Sequence, residues 1–188
     1  MADDFLGDRK KALEESFFAK ENAKLLERMK AEKSKKAAVE GLAEISGIRD
    51  DAVLEQLVTL NIELDTWAAI SLVPLVEVAW ADGKIDDNER RAVLAAAEAN
   101  GIFPSSPSYS LLESWLAHRP DARLLAAWGE YIVDLCANLG DGEKAAVKTK
   151  VIGRAREVAK SAGGFLGLGA KISAEEEVIL RELEKAFE

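Results

Sequence analysis

Carboxylate side chains recur at short intervals in the run Ala-Asp-Gly-Lys-Ile-Asp-Asp-Asn-Glu, residues 81–89. Oxygen atoms such as those of Asp82, Asp86 and Glu89 are the ligands that a hard cation like Ca²⁺ prefers. The run has the spacing of the second half of an EF-hand loop, but two earlier ligand positions would then fall on Val78 and Trp80, which offer no side-chain oxygen. A regular EF-hand is therefore excluded, and two hypotheses remain: a weak divalent-metal site completed by water, or carboxylates that only cap helices.

The run belongs to a pattern that the chain contains twice. Each copy reads Glu-Val-Ala, three variable residues and Gly, and later Lys-Ile, then Asp or Ser, two variable residues and Glu. The copies begin at Glu77 and Glu157, and an insertion of seven residues, 164–170, separates the two halves of the second copy.

This pattern predicts two helix–turn–helix corners. The Gly supplies the positive φ that a helix C-terminus favours, and the Ile precedes the next helix as a hydrophobic staple. Asp86 and Ser173 are predicted N-caps, with Glu89 and Glu176 three positions on, as a capping box requires. We expect pseudo-symmetry to relate the two corners within one bundle.

The run from Trp80 to Glu89, with its weaker second copy, resembles the paired signature of TerB-like (tellurite-resistance B) domains over about residues 65–188. The resemblance implies an all-α fold and an association with bacterial stress-response and tellurite-resistance systems and with membrane-linked complexes. It also implies metal binding by acidic residues. The positions that it carries over are Asp82, Asp86 and Glu89 in the first copy and Glu176 in the second.

The second copy departs from that signature. Ala162 stands where the first copy has Asp82, Ser173 stands where it has Asp86, and the loop is longer. A symmetric two-sided metal site is therefore not expected, and a divalent metal such as calcium would depend mainly on the first copy.

Residues 8–40 contain neither Gly nor Pro and consist mainly of strong helix formers. They predict one helix of roughly 50 Å, with its charged faces interrupted by a sparse apolar stripe. The start of this segment resembles the inhibitory zeta subunit of alphaproteobacterial ATP synthase. Two interpretations stay open: a helix folded back on its own domain, or an arm that docks a partner or self-associates. The stripe consists of Leu13, Phe17, Phe18, Leu25, Leu26 and Met29.

The rest of the chain predicts an all-α bundle. We assign residues 1–46 to the N-terminal arm and 47–188 to the bundle, in which no segment alternates apolar and polar residues as a strand would. The Gly and Pro residues divide the bundle into seven predicted helices. These lie near residues 50–60, 65–81, 86–100, 107–118, 121–139, 143–162 and 173–187.

Charge restricts the choice of partner. The chain carries a net charge of −9, and residues 1–46 hold ten basic and ten acidic side chains, so the whole excess falls on residues 47–188. A surface that binds phosphates needs the opposite sign, so nucleic acid and anionic lipid are not expected partners of the bundle.

The composition also argues against common catalytic sites. His118 and Cys136 are the only residues of their types, which excludes an internal disulfide and Cys/His zinc sites. No nucleophile–base pair is indicated, and no signal peptide or membrane span is predicted, so we expect a cytoplasmic protein that is not an enzyme.

A glycine-rich segment near the second copy has almost the spacing of a phosphate-binding loop. Ala170 stands at the position of the required lysine, so we exclude nucleotide binding. Phe165, Leu166 and Leu168 are apolar residues among these glycines, and they predict packing on the core or a contact with a membrane or partner.

The function that the sequence favours is a non-enzymatic interaction or scaffold module that docks a protein partner, or a second copy, through residues 8–40. The alternative is a divalent-metal sensor that uses the first-copy carboxylates. No other cofactor is expected.

Overall fold

Eight α-helices and one short 3₁₀ helix form the regular structure in the part of the chain that the computed structural model describes. That part comprises the backbone of residues 2–162 and 172–188, with side chains from 20–161 and 172–188. It contains no strand, which confirms the predicted all-α fold class. The α-helices are α1 Ala2–Ser46, α2 Asp51–Thr59, α3 Val73–Ala79, α4 Asp87–Ala99, α5 Pro107–Ala117, α6 Arg123–Ala137, α7 Asp141–Ala162 and α8 Ala174–Lys185.

The segment predicted as one helix over residues 65–81 is divided in two. A 3₁₀ helix, Trp67–Leu72, is followed directly by α3. Pro74 lies in the first turn of α3. Because proline has no N–H and its ring clashes with the carbonyl four residues earlier, an α-helix does not run unbroken through it. The prediction of a single helix was wrong for this reason.

Helix α3 lies at the centre of the bundle, and all seven of its residues are buried. It packs against the 3₁₀ helix and against α4, α6, α7 and α8. Five of the seven residues belong to the main hydrophobic core, together with Leu180 and Leu183 of α8. A short helix with no exposed face thus organises the longer amphipathic helices around it.

The two corners carry the predicted caps. Asp86 caps α4 and Ser173 caps α8, and each forms a complete capping box with the Glu three positions on. Gly83 has φ +89°, as predicted. The prediction that the helix ends at this glycine was wrong, because α3 already ends at Ala79 and a further turn, closed by a hydrogen bond of 2.9 Å from the Gly83 N–H to the Trp80 carbonyl, lies between them. The turn of the second corner, residues 163–171, lies outside the described residues, and with it Phe165, Leu166 and Leu168.

Helix α1 is free over most of its described length. All side chains of residues 20–37 are exposed, which at about 1.5 Å per residue corresponds to roughly 27 Å of helix. Towards its C-terminal end the helix lies beside α2, starting with the side chains of Glu32, Lys35 and Lys36, and Leu42 is fully buried in the core. Over residues 20–37 the helix therefore is not a buried element of the bundle, and docking of a partner or a second copy by the arm stays a prediction.

The root of α1 is therefore part of the bundle, although it lies within the segment 1–46 that the sequence assigns to the arm. Val39 and Ala43 pack against the core beside Leu42. An ion pair joins Lys35 Nζ to Glu55 Oε2 of α2 at 2.6 Å, and both side chains are about half exposed. Such an exposed pair contributes little to stability, so the apolar contacts of the root hold the helix in place.

No helix among the described residues combines the length and the apolar character that crossing a bilayer requires.

Replacement of Leu42 by Ala should lower the free energy of unfolding by about 2–5 kcal/mol, because it leaves a cavity in the core. The matched control is Leu26→Ala in the same helix, where the side chain is 58% exposed and the change should stay within about 0.5 kcal/mol. Urea unfolding followed by circular dichroism measures both. Equal effects of the two substitutions would show that the root of α1 is not part of the core.

Candidate functional site

The first corner brings Asp86 and Glu89 together through reciprocal capping bonds. Asp86 Oδ1 accepts hydrogen bonds from the backbone N–H groups of Asn88 at 2.7 Å and of Glu89 at 2.8 Å. Glu89 Oε2 accepts one from the N–H of Asp86 at 2.8 Å. One oxygen of each carboxylate is thus engaged in holding the start of α4.

The other two predicted site residues are engaged in similar ways. Asp82 is exposed in the turn, and its Oδ1 accepts a hydrogen bond from the N–H of Lys84 at 3.0 Å. Glu176 is 5% exposed at the start of α8, and its Oε2 accepts a hydrogen bond from the N–H of Ser173 at 2.6 Å. Each carboxylate therefore stabilises a turn or a helix start.

Glu89 is the electrostatically unusual residue of this set. It is 6% exposed, and burial raises its pKa from the ordinary 4.5 to about 7. The hydrogen bond from the Asp86 backbone opposes that rise, whereas the negative charges of Asp86, Asp82 and Glu176 add to it. The other three predicted residues therefore lie near enough for their charges to act on Glu89.

Carboxylates can influence one another's pKa over distances at which they could not bind the same metal ion. Among the residues whose side chains the structure describes, 20–161 and 172–188, no group of three or more His, Cys, Asp or Glu side chains is arranged to hold a metal ion. Helix capping accounts for the observed hydrogen bonds, and metal binding by Asp82, Asp86, Glu89 and Glu176 stays a prediction.

Glu77, the first residue of the repeat pattern, is a second carboxylate with an altered titration. It is 7% exposed in α3. Burial raises its pKa, while the positive charge of Arg119 partly opposes the rise. The raised pKa follows the expectation for a carboxylate on an apolar helix.

The end of α3 is also tied to α5. The indole N–H of Trp80 donates a hydrogen bond to the backbone carbonyl of Trp115 at 2.8 Å. Trp80 is half-buried and Trp115 is buried, and both contact the main core. Because Trp80 lies two residues before Asp82, its fluorescence is placed to report on events in the first corner.

Comparison of the chain with protein-family models, with curated proteins and with solved structures gives no match. The TerB-like resemblance of residues 65–188 and the zeta-subunit resemblance of the arm therefore stay predictions.

A surface feature that the sequence analysis missed is a groove of about 770 Å³ between α2, α6 and the C-terminal end of α8. Trp128, Leu125 and Val53 are among its apolar lining residues. A signal for it was present in α6, where residues with small side chains recur at helical spacing. The position of α2 and α8 beside α6 is a matter of tertiary packing, which no local sequence pattern predicts.

The raised pKa of Glu89 gives a testable dependence of stability on pH. Between about pH 5 and about pH 7 the folded chain keeps a proton on Glu89 that the unfolded chain releases, so this residue lowers stability as the pH rises through that range. Glu89→Gln keeps an oxygen that can accept the Asp86 N–H but does not titrate. Relative to wild type, the variant should gain about 1–2 kcal/mol as the pH rises from about 5 to about 8, the shift being discounted for screening by solvent.

Urea unfolding at several pH values measures this difference. Glu176→Gln is the matched variant, because it removes one of the charges that raise the pKa of Glu89 and should therefore shift the fall in stability to lower pH. If wild type and Glu89→Gln show parallel stability curves over the whole range, Glu89 does not have the raised pKa.

Proposed function

We propose that this protein is a non-enzymatic interaction module whose projecting N-terminal helix docks a protein partner. The observation that carries the proposal is the exposure of three neighbouring large apolar side chains on the free part of α1. Leu25, Leu26 and Met29 are 56%, 58% and 57% exposed. We define these three residues as the arm seam.

The energetics of an isolated helix support a docking role. The side chains of residues 20–37 are all exposed, and the contact of this part with the bundle is a cleft beside α2 that includes the exposed Lys35–Glu55 ion pair. A helix with so little tertiary packing is only marginally stable in water. Burial of the arm seam against a partner would stabilise the complex by about 25 cal/mol per Å² of apolar surface. Binding to a partner would therefore stabilise the exposed part of the helix.

A role without catalysis is part of the proposal. The sequence supplies one histidine and one cysteine. His118 is exposed at the C-terminal end of α5, whereas Cys136 is buried within α6. On the TerB-like resemblance, we place the module in a cytoplasmic bacterial stress-response or tellurite-resistance system.

A divalent-metal sensor is the second candidate. The observation that favours it is the combined effect of Asp82, Asp86 and Glu176 on the pKa of Glu89, because a cation would relieve that repulsion. Calcium titration of tryptophan fluorescence tests it, with Glu89→Gln as the control. A saturable response that the control lacks supports the sensor, and no response at millimolar calcium, zinc or manganese removes it.

The docking proposal predicts that Leu26→Glu/Met29→Glu, the arm variant, loses its partner without losing its fold. Helicity and melting temperature should match wild type, because both side chains are already exposed. Recovery of the partner in a pull-down from an extract of the native organism, quantified by mass spectrometry, should fall at least about tenfold, as for central interface residues.

The matched control is Leu64→Glu/Phe103→Glu, which changes two bundle side chains of similar exposure, 59% and 57%. It should recover the same proteins as wild type. Identical recovery by the arm variant and wild type would contradict the proposal.

A further inference from the structure

The groove has an apolar floor and an open mouth. Trp128 is 2% exposed at its base, while Val133 of α6, at its edge, is 56% exposed. Val53 of α2 and Ala186 after α8 complete the apolar lining. Its volume of about 770 Å³ leaves room for a row of side chains from one helix, the helix-in-groove mode of recognition.

The wall formed by α6 carries small side chains, which would let the backbone of another helix approach closely. Ala122, Ala126, Gly129 and Val133 follow one another at intervals of four, three and four residues, so they lie on one face. Beyond its own helix, Gly129 has no atom within 4 Å of the place that a Cβ would occupy. Glycine inside a helix lowers stability relative to alanine, and among the described residues no atom outside the helix lies close enough to require it there.

The charges around the groove specify the occupant further. Asp50, Glu130, Asp134 and Glu182 line it against a single lysine, Lys185. The free part of α1, residues 20–37, has seven basic and three acidic side chains. The net charge of the exposed arm is therefore opposite to that of the groove lining. The arm also carries the apolar arm seam, which could cover the apolar floor of the groove.

We propose that the groove between α2, α6 and α8 receives the arm of a second copy of this chain. The arm seam would pack over Trp128 and Val133, with Lys24 and Arg28 facing the acidic rim. This inference rests on the proposed function and names the partner. Reciprocal exchange of arms between two copies gives a closed dimer with two identical contacts.

The arrangement of α2 explains why the occupant is a second copy. Asp51 and Glu55 of α2 face the root of the chain's own arm, whereas Val53 and Gln56 face the groove. A chain's own arm leaves as a continuous helix from a different face of α2, and its residues 20–37 stay exposed. The groove and the arm of one chain are thus both available to a partner.

Sedimentation velocity of the full-length chain tests the proposal over a range of concentrations up to about 100 µM. Wild type should associate to a dimer, more weakly at high salt because part of the attraction is between exposed charges. Val133→Glu, the groove variant, should weaken association at least about tenfold. Val178→Glu is the matched control, because Val178 is 59% exposed on α8 but does not line the groove.

Gly129→Leu is a second groove variant that keeps the proposal testable if Val133→Glu disturbs the fold. Because a Cβ at position 129 meets no atom within 4 Å, the melting temperature should not fall, while the added side chain would narrow the groove and hinder the arm. The arm variant, Leu26→Glu/Met29→Glu, should also be monomeric. A mixture of the arm variant with Val133→Glu should form a mixed dimer, because one intact arm then meets one intact groove.

Three results would overturn the inference. If Val133→Glu and Gly129→Leu associate like wild type while the arm variant does not, the arms pair with each other, and the proposed docking role of the arm stands without the groove. If the two monomeric variants fail to complement each other, the arm does not occupy the groove. If wild type is monomeric at every concentration, the partner is not a second copy, and the pull-down alone decides the proposed function.

Discussion

The complete burial of α3 is the constraint on which the rest of the structure depends. A seven-residue helix without an exposed face cannot be stable alone, since isolated helices of that length do not form in water. It requires other elements on every side, and the 3₁₀ helix with α4, α6, α7 and α8 supplies them. Pro74 fixes where this helix begins, and Trp80, bonded to Trp115, ends it.

The two capping boxes fix the starts of α4 and α8, two of the helices that pack around the central helix. Asp86 and Ser173 each close the start of the following helix, a contribution of about 1 kcal/mol per cap. Glu89 and Glu176, which complete the boxes, become buried as a result. This burial raises the pKa of Glu89, so the altered titration of this carboxylate follows from its role in the capping box.

Sequence reasoning recovered the features that depend on local chemistry. The caps at Asp86 and Ser173 and the positive φ of Gly83 follow from neighbouring residues alone. The 3₁₀ helix before Pro74 was missed because the apolar pattern outweighed the proline in the prediction. The groove and the buried root at Leu42 arise from contacts between α2 and distant parts of the chain, and no local pattern encodes them.

The central claim is that one continuous helix is held at its root and free along its arm. Hydrogen–deuterium exchange of the full-length chain, at a concentration too low for association, tests it most directly. Amides of residues 20–37 should exchange at least about a hundredfold faster than those of α3, because helices without tertiary contacts open easily. Residues 38–46 should exchange at an intermediate rate. Protection of residues 20–37 equal to that of α3 in the dilute monomer would contradict the account.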